Sequence, residues 1–285
     1  MGHPALSTDG KALTKELIEA LKSEVSMLKV YLEQQDLFVF LTCLDEVIKQ
    51  YKDIAGKPAN WFFNEFKDQE AELLKQKRDL IDPIKRFMES PQATIYKSIN
   101  EFIKDNKLNL SHLDTDSIKT LQDVLADHQI YIGSKIKDAK LALEFLKDQL
   151  TRLLNQERQK ALQEVTPLYE SLKAKVSGKH DLLNRIEEAY QQVLRSINQE
   201  TLIPMIASTK SYFTEHTYLD LLNEIEADIA PKGGDKPKTM IISAKSLKPK
   251  FSKEIIETGA DLDEYLKSLK QTYLTELDKG NRIKV

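Results

Sequence analysis

The chain has 285 residues, 41% hydrophobic and 31% charged, with a formal net charge of −3, a balance that suits a globular or coiled-coil protein and argues against disorder. Nine glycines and nine prolines are too few turn formers for an all-β fold, so helices are expected. No run approaches the ~20 apolar residues of a membrane span, no basic-then-apolar leader opens the chain, and one cysteine makes neither an intrachain disulfide nor a cysteine zinc site.

Residues 1–9 read as a flexible lead-in or cloning scar, which implies a piece of something longer. Residues 10–132 read as a helical bundle. Leu13, Leu17, Ile18, Leu21, Val25, Leu28 and Leu32 keep helical spacing. A second run carries Leu44, Val47, Ile48 and Tyr51 on one face and stops at Gly56-Lys57-Pro58. Cys43, in the apolar run 37–44, reads as a small buried hydrophobe, and a lone thiol fits a reduced cytoplasm. Asn60 is placed to cap the next helix. Its aromatics Trp61, Phe62, Phe63 and Phe66 fit a core anchor better than a base-stacking platform. Helix is expected over 71–89 with a break near Asp82-Pro83, where a new helix can start because proline tolerates the first turn. Ser90-Pro91 starts another helix, and Asp114 or Thr115 caps a short one.

Residues 133–230 read as a long antiparallel helical hairpin. Ile136, Ala139, Leu143, Leu146, Leu150 and Leu153 repeat at alternating three and four, the seam of a coiled coil. The phase then slips, and Leu154, Ala161, Val165, Leu168, Leu172 and Val176 carry the face onward. Pro167 predicts a kink or a tight restart. After a Ser177-Gly178-Lys179 turn, Leu182, Leu183, Ile186, Ala189, Val193 and Ile197 form the returning stripe, which Pro204 interrupts further on.

Residues 231–285 form a small α/β unit. After a Pro/Gly-rich linker, residues 239–245 favour a strand, Leu262 to Leu277 a helix ended by Gly280, and residues 282–285 a closing strand. Strand–helix–strand implies a parallel pair. Two strands alone are marginal, and their exposed edges are templates for pairing with another chain.

No set of residues reads as an active site. Residues 233–239 resemble a phosphate loop only faintly, with the wrong spacing and a strand where a helix should follow. The five histidines lack ligand spacing. Ser134 of a Ser-x-x-Lys tetrad reads as a helix cap. The charged feature above background is residues 232–253, with seven lysines against Asp235. Within it Lys245, Lys248, Lys250 and Lys253 are candidate contacts for phosphates or an acidic partner, the plainer reading being a solvated loop.

Residues 81–96, from Ile81-Asp82-Pro83 through Arg86-Phe87-Met88 and Pro91-Gln92 to Ile95-Tyr96, resemble a DPIRxFMxGPQxxIY pattern, with Ser90 in place of its glycine. Residues 257–285 resemble a terminal ETxADVDxYL…GxRIxI pattern, with Gly259 in place of an acid. Both are similar to the C-terminal region of BrxC, the large P-loop ATPase of bacterial BREX phage-defence systems. The resemblance implies a bacterial cytoplasmic protein, an ATPase domain elsewhere, and a DNA-directed defence complex. The nucleotide motifs have no counterpart here, so ATP is expected only in the missing upstream domain and no cofactor in this chain. The chain is expected to be a non-catalytic scaffold whose partners are other BREX proteins or its own copies, DNA being the alternative.

Overall fold

The computed structural model of the chain describes residues 8–176, 180–229, 240–251, 253 and 255–285, with side chains from residue 14 onward. The fold is mainly helical with a two-stranded sheet. The chain divides into two compact units, Met1–Leu150 and Thr151–Val285.

In the first unit, α1 (Thr8–Leu32) packs on α2 (Leu44–Ala55). Leu21, Val25 and Leu28 are buried on α1, and Leu44, Val47, Ile48, Tyr51 and Ile54 on α2. A 3-10 turn, Val39–Cys43, precedes α2. Phe40 and Leu41 are buried in this turn, whereas Cys43, at its end, lies at the surface. Cys43 is therefore exposed rather than a core residue, its Sγ donating to the Phe40 carbonyl at 3.0 Å.

Helix α3 (Ala59–Asn64) begins after Pro58 without any side-chain cap, so Asn60 does not cap it. Trp61, Phe62 and Phe66 contact one another, with ring centroids 5.3 to 6.1 Å apart. All three are only half-buried and Phe63 is 46% exposed. Phe66 already opens the next helix, and a helix as short as α3 meets few neighbours to bury its rings. The aromatic core forms instead from Phe38, Phe40, Phe87 and Tyr96, with Phe38 stacked on Tyr96 at 5.1 Å and Phe40 edge-on to Phe87 at 5.3 Å. The Tyr96 hydroxyl donates to the Leu125 carbonyl at 3.0 Å, and burial pushes the phenol up to about 12.

Pro83 does not break its helix. The chain runs from α4 (Phe66–Gln76) through a π-helical turn, Lys77–Ile81, into α5 (Asp82–Met88). Proline lacks an N–H, and its ring presses on the carbonyl four residues back, here that of Asp79. The wider turn, in which the Asp82 N–H reaches the Lys77 carbonyl, relieves that conflict just ahead of Pro83. Ser90 caps α6 (Pro91–Asp105), accepting the Gln92 N–H at 3.1 Å, and Asp114 caps α7 (Thr115–Ala126), accepting the Ser117 N–H at 2.8 Å.

The long helix α8 (Lys135–Lys175) is continuous through Pro167, so no restart occurs there. The Gln163 carbonyl that loses its helical partner lies on an exposed residue, open to water. Ile136, Ala139, Leu143 and Leu146 are buried in the first unit, and Ala161, Val165, Leu172 and Val176 in the second. The slip in the apolar phase at residues 150–154 coincides with the boundary between units, so the two stripes serve two cores.

In the second unit, α8 runs antiparallel to α9 (His180–Gln199). Tyr169 stacks on Tyr190 at 4.0 Å, Thr166 and Tyr190 share a hydrogen bond of 3.0 Å, and Arg158 donates to the Glu200 carbonyl at 2.6 Å. Partner numbers fall on one strand of the pair as they rise on the other, which is antiparallel register. The turn at residues 177–179 lies outside the described residues. The returning segment is no single helix. α9 stops at Gln199, α10 (Ile203–Tyr212) restarts with Pro204 in its first turn, and a π-helical turn, Phe213–Thr217, leads into α11 (Tyr218–Ile229). Ile206, Phe213, Leu219, Leu222 and Ile225 close the core over Val165, Leu172, Ile186 and Val193.

The last elements follow the expected order: β1 (Ile241–Ser243), α12 (Gly259–Asp278) and β2 (Arg282–Lys284). The strands are parallel, Ile242 opposite Ile283. Gly280 turns the chain at φ +83°, a left-handed conformation that side chains resist.

Candidate interaction surface

The lysines at 232, 236 and 238 lie outside the described residues. The four candidates separate into two kinds. Lys245 pairs with Glu215 at 2.6 Å, which holds that carboxyl below the usual range. Lys253 pairs with Asp261. Lys248 and Lys250 are exposed and make no ion pair among the described residues. The run is thus not a uniform patch, because two of its charges are spent on folding the unit.

Asp261 is a buried acid that composition alone does not single out. It accepts from the Lys253 ammonium and from the N–H groups of Thr258 at 3.0 Å and Glu257 at 3.3 Å, while Thr258 Oγ1 accepts the Asp261 N–H at 3.2 Å. This reciprocal capping box starts α12. The Lys253 hydrogen bond, then that of Thr258, holds the carboxyl down to about 2. The Thr-x-x-Asp spacing was the available signal.

The sheet edges differ. Asn223 on α11 accepts the Ile241 N–H at 2.7 Å and donates to the Ile241 carbonyl at 3.2 Å. Its carboxamide occupies the place of a neighbouring strand, so the outer edge of β1 is closed. On β2, the Arg282 N–H donates to the Met240 carbonyl at 2.8 Å, so Arg282 and Lys284 aim their backbone groups at β1. Alternation points the N–H and carbonyl of Ile283 outward, and no described strand pairs there. Arg282 makes an ion pair with Glu226, and the Lys284 ammonium lies 4.3 Å from the Tyr218 ring centroid. Burial, then Lys245, pushes the Lys284 pKa down.

On α12, Leu262, Leu266, Leu274 and Leu277 are 40 to 50% exposed. Elsewhere, a concavity of about 720 Å³ in the first unit is lined by Arg78, Asp79, Arg86, Phe87, Gln92 and Tyr131. Arg78 there is tied to Asp79 through two hydrogen bonds of 2.7 and 2.9 Å. No group of three or more histidine, cysteine or acidic residues is poised for a metal among the described residues, and none of the described helices is long and apolar enough to cross a membrane.

Residues 1–110 match the family model of the BREX ATP-binding protein BrxC alpha helical domain. The chain carries a BrxC-related region. The first of the two resembling stretches, residues 81–96, falls inside the matched residues; the second, 257–285, falls outside them. No curated protein and no solved structure matches the chain. The π-helical turn before Pro83 and the Ser90 cap thus both belong to the BrxC-related residues.

Proposed function

We propose that the chain is a non-catalytic scaffold from the C-terminal part of a BREX-type P-loop ATPase, supporting assembly of a DNA-directed phage-defence complex with other BREX proteins as its partners. The observation that carries this reading is the BrxC helical-domain match over residues 1–110. An open strand edge and an exposed leucine stripe support it, since both are surfaces that association covers. Affinity capture with the full chain as bait tests it. Stoichiometric retention of other BREX components is expected; retention of none would sink the proposal.

A nucleic-acid contact through the lysine run is the alternative, favoured by Lys248 and Lys250, which are exposed and make no ion pair among the described residues. It has less to stand on than the composition suggests, because Lys245 and Lys253 are engaged within the unit. Lys248→Glu with Lys250→Glu separates the two readings. Assembly that persists while DNA affinity falls assigns these charges to DNA.

A further inference from the structure

Among the described residues, the two-stranded sheet has one edge closed by Asn223 and one edge open at Ile283. Arg282 and Lys284 alternate with Ile283 along the open strand, so their side chains share one face and Ile283 takes the other. That first face also carries Ile241, which packs on the helical core, and its part along β2 is basic. It holds Arg282 and Lys284, with Lys245 near enough to depress the Lys284 pKa. Arg282 and Lys245 each have a carboxylate, in Glu226 and Glu215. Lys284 has none among the described residues and rests on the Tyr218 ring.

We propose that the outer edge of β2 receives an extended segment of a partner protein in which acidic and apolar residues alternate, adding a third strand. The backbone of such a segment would pair with the Ile283 N–H and carbonyl, the general mode of strand addition at an open edge. Its acidic side chains would fall on the Lys284 face and its apolar ones on the Ile283 face. A second copy of this chain is a poor occupant. Antiparallel pairing of two β2 strands about Ile283 would set Arg282 opposite Lys284 of the other copy, and like charges directly opposed are destabilising. Nucleic acid would satisfy the cations but would leave the outward backbone donor and acceptor unmatched.

This inference rests on reading the chain as an assembly region, and its test uses no BREX component, so either can fail without the other. A fluorescein-labelled peptide of alternating glutamate and valine is titrated into the full chain and followed by anisotropy. Two further peptides are N-methylated at every glutamate or at every valine. Saturable binding is expected, lost in one N-methylated peptide and kept in the other, because only one set of N–H groups faces the edge. Lys284→Glu should weaken binding about tenfold, Lys284→Arg should restore it, and circular dichroism should confirm that both variants fold. Several results would overturn the assignment: equal binding by both N-methylated peptides, equal binding by a lysine–valine peptide, or displacement by an oligothymidylate. So would a dimer in sedimentation that Lys284→Glu tightens by relieving the Arg282–Lys284 repulsion, which would put a second copy on the edge.

Discussion

The Asn223 side chain hydrogen-bonds both backbone groups of Ile241, at 2.7 and 3.2 Å, and so stands in for the strand that β1 lacks. A helix thereby satisfies a sheet edge with one carboxamide. Ile241 also packs on the core formed by α8 to α11, which ties the sheet to the helices of its unit.

Asn223→Ala is expected to leave a half-buried N–H and carbonyl unmatched and to cost about 1–3 kcal/mol. Amide hydrogen exchange at Ile241 should accelerate by a comparable factor. Unchanged exchange would mean that the carboxamide contributes nothing to the edge.

The capping box makes stability depend on acid. The Asp261 carboxyl is held at about 2 in the fold, below the ~3.9 of an unfolded aspartate. A depressed folded value stabilises above about pH 4, and that contribution is lost as pH falls through about 2. Asp261→Asn should therefore lower the melting temperature at pH 6, with the gap closing by pH 2. A gap that stays constant with pH would refute the link. Thr258→Ala removes the other half of the box and should cost about 1 kcal/mol at pH 6, and less toward pH 2, because Thr258 also helps to hold the Asp261 carboxyl down.

Phe40 touches Phe38, Phe87, Tyr96 and Tyr131 and is 1% exposed. Phe40→Ala is expected to destabilise by about 3–5 kcal/mol in urea unfolding, from lost burial and a residual cavity. Phe63→Ala, at a 46% exposed ring, should cost well under half as much. Similar costs for the two would mean that the aromatics of α3 do serve as a core.

ATP is expected not to bind the isolated chain, because no Walker-type loop occurs in the sequence. Isothermal calorimetry decides the matter, and saturable heat at about micromolar ATP would contradict the non-catalytic reading.

Local chemistry made much of this protein legible from its residues alone. Ser90-Pro91 and Asp114 carry their own capping groups, and the apolar stripe of α8 records its buried face at helical spacing. The β-rich run before residue 245, the leucines of α12 and Gly280 spell strand, helix and turn in order. The BREX resemblance of residues 81–96 lies within the stretch that the BrxC family model matches. What stayed hidden were choices among partners distant in sequence. A periodic stripe shows that a face must be buried, but not against what. The two stripes of α8 therefore looked like one hairpin seam, although they serve two cores. Trp61, Phe62 and Phe66 looked like core because hydrophobicity is read residue by residue, whereas burial needs neighbours to supply the other wall. A lysine's charge is likewise visible in sequence, but its partner is not. Only the folding of residues 257–261 brings Asp261 to Lys253, and only the packing of α11 on the sheet closes one edge with Asn223, the edge of Ile283 staying open among the described residues.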